Sequence, residues 1–321
     1  MFDEFAIMPG VFSIKNELHL ERLEDILLSI NRNGQLANLE KDNWIKEVIN
    51  EQLSKLGPSR KKELQELLLR LKNNHRLVRH PKRPNINGTL YNKWLELTYV
   101  SHVEKNFFAV LTQDGKEFVP KENEKPLVTH TSEYKKNGDF RNWNANSSQE
   151  KISLKEEDFK RVLEPVLRNA KEISIIDYYI SPKPAFLPII KIAAEILGQR
   201  FPNKQKGVIR ILFSSYHYEN KLGLTKDTVK SAWYNTLKSI GVLDKHCFDF
   251  YGLEWEKGEQ SVHDRYILTD QCGVKCGRGW DVVKGGDSQI ILLNDKIWAG
   301  IHADYLQENT QCFRRKYHFS L

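Results

Sequence analysis

His263-Asp264-Arg265-Tyr266-Ile267-Leu268-Thr269-Asp270 runs on into Gln271-Cys272-Gly273-Val274-Lys275-Cys276-Gly277-Arg278-Gly279-Trp280-Asp281. The first part is rich in β-branched and aromatic residues and ends at a turn-forming aspartate, so it reads as a strand over 264–269. Residues i and i+2 of a strand share a face, so His263 and Arg265 can address one ligand together. Asp270 lies just past the strand end, where it is expected to return and orient an imidazole. The turn Gly277-Arg278-Gly279 can bring backbone N–H groups close to an anion.

Strands and helices alternate on both sides of this stretch. Phe159, Val162, Leu163, Val166 and Leu167 mark a helix, and Ile173, Ile175 and Ile176 lead a strand into Asp177-Tyr178-Tyr179-Ile180. Ser181-Pro182 opens a loop before an apolar helix over 185–197, and a second strand covers 208–213. A helix from Thr225, as N-cap, to Ile240 ends at Gly241. A further strand surrounds residues 247–251, another runs over 289–293, and a helix covers 295–306. Strands separated by helices predict an α/β fold with several parallel strands. Asp177, Tyr178 and Tyr179 sit at the C-terminal end of a strand, where α/β folds bind ligands.

The spacing H-x-R-x4-D-x6-G, on His263, Arg265, Asp270 and Gly277, resembles the HKD motif of the phospholipase D superfamily, H-x-K-x4-D-x6-G-S-x-N. By its strand–helix pattern the resemblance extends over 153–321. It implies a phospholipase-D-like mixed sheet flanked by helices, and a covalent mechanism. One histidine attacks phosphorus, a second protonates the leaving oxygen, and water resolves the phosphohistidine. Imidazole can serve as nucleophile or acid near neutral pH, and cations stabilise charge gathering on the phosphoryl oxygens. The resemblance makes His263, Arg265 and Asp270 the catalytic set and Gly277 and Arg278 the phosphate contacts. It implies no metal and no cofactor. Arg265 stands where the family has Lys, and Arg278 and Trp280 where it has Ser and Asn; Arg keeps the charge but not the shape.

The mechanism needs two histidines, and one strong motif is present. Single-motif nucleases of the family pair two copies across a homodimer, which implies a homodimer here. Within the chain, His217 is the alternative source. His80-Pro81-Lys82 is a poor second motif, with Asn87 at the Asp position.

The first half reads differently. Leu18, Leu20, Leu23, Ile26, Leu27 and Ile30 have near-helical spacing, as do Trp44, Ile45, Val48, Ile49, Leu53 and Leu56. Gly57-Pro58-Ser59 separates the second helix from a third over 60–73, with Ser59 as its N-cap and Leu64, Leu67, Leu68 and Leu71 as its buried stripe. His80-Pro81-Lys82-Arg83-Pro84 breaks that helix. From Trp94 to Leu127 the pattern is strand-like: Leu95, Leu97 and Tyr99 alternate with polar residues, and Asp114-Gly115 is a turn signal. The expected organisation is a helical N-terminal domain with a small β element over 1–130, a linker over 131–152, and the phospholipase-D-like domain over 153–321.

The chain has 321 residues, with 49 Lys and Arg against 42 Asp and Glu. One stretch of the first half, Arg60 to Arg83, is locally basic. Arg60, Lys61, Lys62, Arg70, Lys72, Arg76, Arg79, Lys82 and Arg83 face two acids, Glu63 and Glu66, in the same stretch. Such a cluster can neutralise several phosphates and release counterions, making nucleic acid the expected partner. A solvated helix face is the plain alternative. No apolar run reaches membrane-span length, and Met1-Phe2-Asp3-Glu4 lacks the basic start of a secretory signal. Four cysteines make no disulfide scaffold, so Cys272 and Cys276 are read as reduced thiols rather than zinc ligands and the chain as cytoplasmic. Trp233 and Trp298 fit helix-face core positions, while Trp255 and Trp280 are candidates for stacking on bases.

These readings converge on a metal-independent phosphodiesterase or nuclease acting on DNA or RNA, of a kind suited to bacterial defence or restriction. An activating protein partner is compatible with it. The alternative is an inactive phospholipase-D-like module that binds nucleic acid or acidic phospholipid. Phospholipase activity is disfavoured, since no membrane-seeking amphipathic segment stands out.

Overall fold

A computed structural model of the chain describes residues 3–80, 90–105, 107–112, 127–130, 133, 149–200, 206–255, 265–282, 286–307 and 313–321. His263, Asp264, Lys82 and Arg83 lie outside the described residues. The chain divides into two units, Met1–Ser147 and Ser148–Leu321, and each is mixed α/β.

In the first unit, β1 (Asp3–Ile7), α1 (Glu17–Asn33), β2 (Gly34–Asn38), α2 (Asn43–Glu47), α3 (Pro58–Asn73), β3 (Leu77–Arg79), α4 (Leu90–Lys105), β4 (Ala109–Thr112) and β5 (Leu127–His130) follow in order. The five strands form one sheet in the order β3-β2-β1-β4-β5, and every pairing is parallel. This corrects the expectation of a helical domain with a small β element. The difference arises at two places. β1 and β2 are buried almost throughout, yet carry Glu4, Gln35 and Asn38, so their composition does not announce core strands. The stretch from Trp94, expected as a strand, lies in α4. Trp94, Leu97, Thr98, Ser101 and His102 are the buried positions among its described side chains, at helical spacing, and the Thr98 hydroxyl donates to the Trp94 carbonyl at 2.7 Å. The N-cap of α3 is Gly57, with Pro58 in its first turn; Ser59 bonds Glu63 instead.

The second unit contains β6 (Gln149–Ser153), α5 (Glu156–Leu167), β7 (Glu172–Ile176), α6 (Leu187–Arg200), β8 (Gly207–Ser214), α7 (Lys226–Ser239), β9 (His246–Trp255), β10 (Arg265–Thr269), β11 (Gly273–Cys276), β12 (Asp287–Leu292), α8 (Asp295–Leu306) and β13 (Phe313–Ser320). They make an eight-stranded sheet in the order β13-β9-β8-β7-β10-β11-β12-β6. β7, β8 and β9 are parallel at its centre, and the other pairings are antiparallel. β6 falls partly in the stretch expected to be a linker; it pairs with β12 at the sheet edge.

Helices cover both faces. Ile176, Leu212, Leu253, Tyr266 and Leu268 pack with Tyr305, Trp298 and Ile301 of α8. One residue along each strand, the opposite face meets the other helices: Trp233 of α7 lies 5.1 Å from Phe250 between ring centroids. The caps follow the sequence. Thr225 accepts from the Thr228 N–H at the start of α7, and Asn294 accepts from the Ile297 N–H at the start of α8. Gly241 takes φ +70° just beyond α7, a conformation that suits glycine.

Candidate functional site

β7 and β8 run parallel and end on the same rim. The Asp177 N–H donates to the Leu212 carbonyl, and the Ser214 N–H to the Tyr178 carbonyl. β10 runs antiparallel to β7 with Tyr266 opposite Ile176, which sets Arg265, the first residue of β10, beside Asp177. The two meet, Arg265 Nε lying 3.5 Å from Asp177 Oδ2. The guanidinium also sits 5.6 Å from the centroid of the Tyr179 ring, and its NH1 is 3.5 Å from the Gly277 carbonyl. Arg265 is therefore braced from three sides while part of its side chain stays exposed.

Asp177 is 1% exposed. Its Oδ1 accepts from the Tyr179 N–H at 2.8 Å and its Oδ2 from the Trp280 N–H at 3.4 Å. Burial pushes its carboxyl above the ordinary aspartate range; the Tyr179 N–H, the Arg265 charge and the Trp280 N–H oppose that rise, and Asp281 adds to it. The carboxyl thus links the rim of β7, the start of β10 and the turn after β11.

That turn needs its glycine. Gly279 has φ +125°, and a Cβ there would lie 2.8 Å from Asp281 Oδ1 and 3.2 Å from Arg265 Nε. Behind it, Cys276 Sγ donates to the Gly279 carbonyl at 2.9 Å and lies 3.3 Å from Ser288 Oγ, which accepts from the Arg278 N–H at 3.0 Å. Burial holds the Cys276 thiol above its ordinary value. Cys272 is likewise buried, and among the described residues no group of three or more His, Cys, Asp or Glu could hold a metal.

His217 stands on the same rim, just past β8. Its N–H donates to Ser214 Oγ at 3.1 Å, and its ring lies 5.2 Å from Tyr179 and 6.2 Å from Tyr178 between centroids. Burial, then Lys183, then Lys221 hold its imidazole below the ordinary histidine range, so it is neutral near pH 7. A phosphodiester beside it would favour the charged form. The rim therefore gathers Arg265, Lys183, Lys221, a neutral imidazole and two tyrosine rings within one unit.

Several expected residues fall elsewhere. Asp270 lies at the far end of β10, about 16 Å from Arg265 at roughly 3.3 Å per strand residue. There its Oδ1 accepts from the Lys171 N–H just before β7, at 2.8 Å, so it ties strand ends together rather than serving the Arg265 rim. Gly277 does reach Arg265 through its carbonyl, while its N–H donates to the Gln289 carbonyl. Arg278 is exposed beside it. Trp280 is 0% exposed, with its ring 6.0 Å from Phe159, so it is core and offers no face to a base. Asp177 is legible in the sequence as a strand-end residue, but its pairing with Arg265 across the sheet carries no local signature.

The basic cluster of the first unit is also divided. Arg76 is 1% exposed and its Nε donates to the Asn31 carbonyl at 3.0 Å, which makes it a structural residue and corrects its expected role. Arg60 pairs with Glu17, Arg79 with Asp42, and Lys62 lies 3.9 Å from Glu66. Lys62, Arg70 and Lys72 are exposed along α3, with Lys61 half-buried beside them. His80 is 2% exposed and its Nε2 lies 2.5 Å from Glu4 Oε1, which closes it to a substrate.

No protein-family model matches the chain, and no curated protein matches it. Among solved structures, a phosphatidylserine synthase of Haemophilus influenzae Rd KW20 aligns with 53% of this chain at 13% identity and a TM-score of 0.36; the chain spans 39% of that protein. TrmBL2, an archaeal chromatin protein whose structure shows a mode of DNA binding, aligns with 82% of this chain and 87% of its own at 10% identity and a TM-score of 0.28. At these scores neither likeness establishes a shared fold. No helix among the described residues is long and apolar enough to cross a membrane.

Proposed function

We propose that the second unit is a phosphodiester-handling site and that the chain is a metal-independent nuclease. The supporting observation is Arg265, which stands in the motif two residues after His263. It opens β10 on the rim of β7 and β8, held by Asp177 and Tyr179, with part of its guanidinium exposed. A planar cation held this way is suited to two oxygens of one phosphate.

In this reading the His263 imidazole attacks phosphorus and the P–O bond to the leaving group breaks. A second imidazole gives that oxygen its proton. Water then attacks the phosphohistidine, returning a proton to the second imidazole and freeing His263. Arg265, with Arg278 nearby, stabilises charge on the non-bridging oxygens. Asp270 has no direct part in these steps; it fixes the far end of β10. The second imidazole comes from a partner copy in a homodimer or, alternatively, from His217 within the chain, whose ring lies 5.2 Å from that of Tyr179. The exposed cations of α3, Lys62, Arg70 and Lys72, are proposed to hold the nucleic acid backbone. Bacterial defence or restriction is the setting such an activity suits.

The test is cleavage of DNA and RNA in the presence of EDTA. Wild-type protein is expected to form product and His263→Ala none. Folded wild-type protein that cuts neither polymer, with or without metal, would sink the enzyme reading. Trp280 supports the second reading, an inactive binding module for nucleic acid or acidic phospholipid. It occupies the family's Asn position and is core, so that position supplies no polar group. On this reading wild type makes no product, and His263→Ala binds as wild type does.

A further inference from the structure

The rim of β7 and β8 carries rings as well as cations. Tyr178 and Tyr179 follow each other at the end of β7, with centroids 4.8 Å apart at 69°. His217 meets Tyr179 edge-on at 89° and also touches Tyr178, so the three rings form one cluster. All three are half-buried, whereas Tyr218 and Trp280 beside them are buried outright. Cations border the cluster: Arg265 lies over Tyr179, and Lys183 and Lys221 act on His217. Lys183 and Lys221 are exposed.

A site for free phosphate or an anionic lipid headgroup needs cations but has no use for a group of partly exposed rings. A nucleic acid strand with unpaired bases uses both, its bases stacking on rings while phosphates meet Lys and Arg. Bases of a duplex are already stacked on each other and present no faces. We propose that Tyr178 and Tyr179 form a stacking platform that selects single-stranded nucleic acid at the Arg265 rim. This deepens the proposed phosphodiester site and rests on it.

The test compares affinities of the full chain carrying His263→Ala, which leaves each probe uncut. The probes are labelled oligothymidylate, an abasic strand of the same length and charge, a duplex of that length, and vesicles containing anionic phospholipid. Oligothymidylate is expected to bind about tenfold tighter than the abasic strand, the scale of one stacked base. Tyr179→Ala should erase that ratio, and Tyr179→Phe, which keeps the ring, should preserve it. The abasic strand is the control for charge, since it retains every phosphate. Equal affinity for the base-bearing and abasic strands overturns the platform and leaves the phosphodiester site standing. Duplex or vesicles binding as tightly as oligothymidylate also overturns it. Failure to bind any of the four probes overturns both the platform and the site beneath it.

Discussion

Arg265 is useful only because other residues fix it. Asp177 meets its Nε, Tyr179 lies under its charge, and Gly279 lets the following turn approach. Gly279→Ala forces a side chain onto a φ of +125° and into contact with Asp281 and Arg265. It should destabilise the protein by about 1–3 kcal/mol, read from the denaturant midpoint, and should lower any activity. Arg265→Lys keeps one charge but loses the planar fork; a drop of about 100-fold in turnover, the scale for one lost transition-state donor, is expected. His217 gives a pH signature. Its folded imidazole titrates below its unfolded value, so the unfolded state takes up a proton first as pH falls. The stability contributed by neutral His217 is therefore present above the ordinary histidine range near 6.5 and is lost as pH falls toward the lowered folded value. His217→Gln should make that acid limb shallower, leaving the share of His246 and His302, which burial also lowers, as measured by thermal melts across the window; an unchanged limb would refute the assignment.

At the scale of elements, the stretch from α3 to β3 holds two kinds of cation that look alike in sequence. Lys72→Glu changes an exposed position in the last turn of α3 and should cost no more than about 1 kcal/mol of stability. It should weaken nucleic acid binding and reduce its salt dependence, as measured by titration at several salt concentrations. Arg76→Ala removes a buried donor from the Asn31 carbonyl and should destabilise by several times more, seen in the same unfolding assay. The elements legible in sequence were those with their own local signals. α8 has Asn294 at its start, and α7 has Thr225 before it and Gly241 after it. Others depend on distant partners. β1 was missed because Asp3 and Glu4 open it, and Glu4 is accommodated by His80 from another part of the chain. α4 reads as a strand because Leu95, Leu97 and Tyr99 keep a period of two, while its buried face includes Thr98, Ser101 and His102, polar residues that give no apolar helical stripe. The site was half legible: the spacing flagged Arg265, and the strand-end rule flagged Asp177 and Tyr179. Their meeting depends on β10 pairing antiparallel with β7, a register that no local pattern states.

On the scale of the whole molecule, each unit has its own sheet, and the chain commits two separate α/β cores to one polypeptide. The source of the second imidazole can be read at this scale. If His217 supplies it, product formed per molecule stays constant on dilution; if a partner copy supplies it, this falls as copies separate. Mass measurement in solution over the same dilution series distinguishes loss of partner from loss of fold.

The edge pairing of the larger sheet has a consequence during synthesis. β9 joins β8 on one side and β13 on the other, and Phe319 of β13 stacks on Phe250 of β9 at 4.8 Å. The ribosome releases β9 before β13 has been translated. Until β13 emerges, a strand carrying Phe248, Phe250 and Tyr251 keeps a bare hydrogen-bonding margin, the kind that recruits a neighbouring nascent chain. Chaperone demand should therefore peak late in translation, and ribosomes stalled ahead of Phe313 should leave the stickiest product.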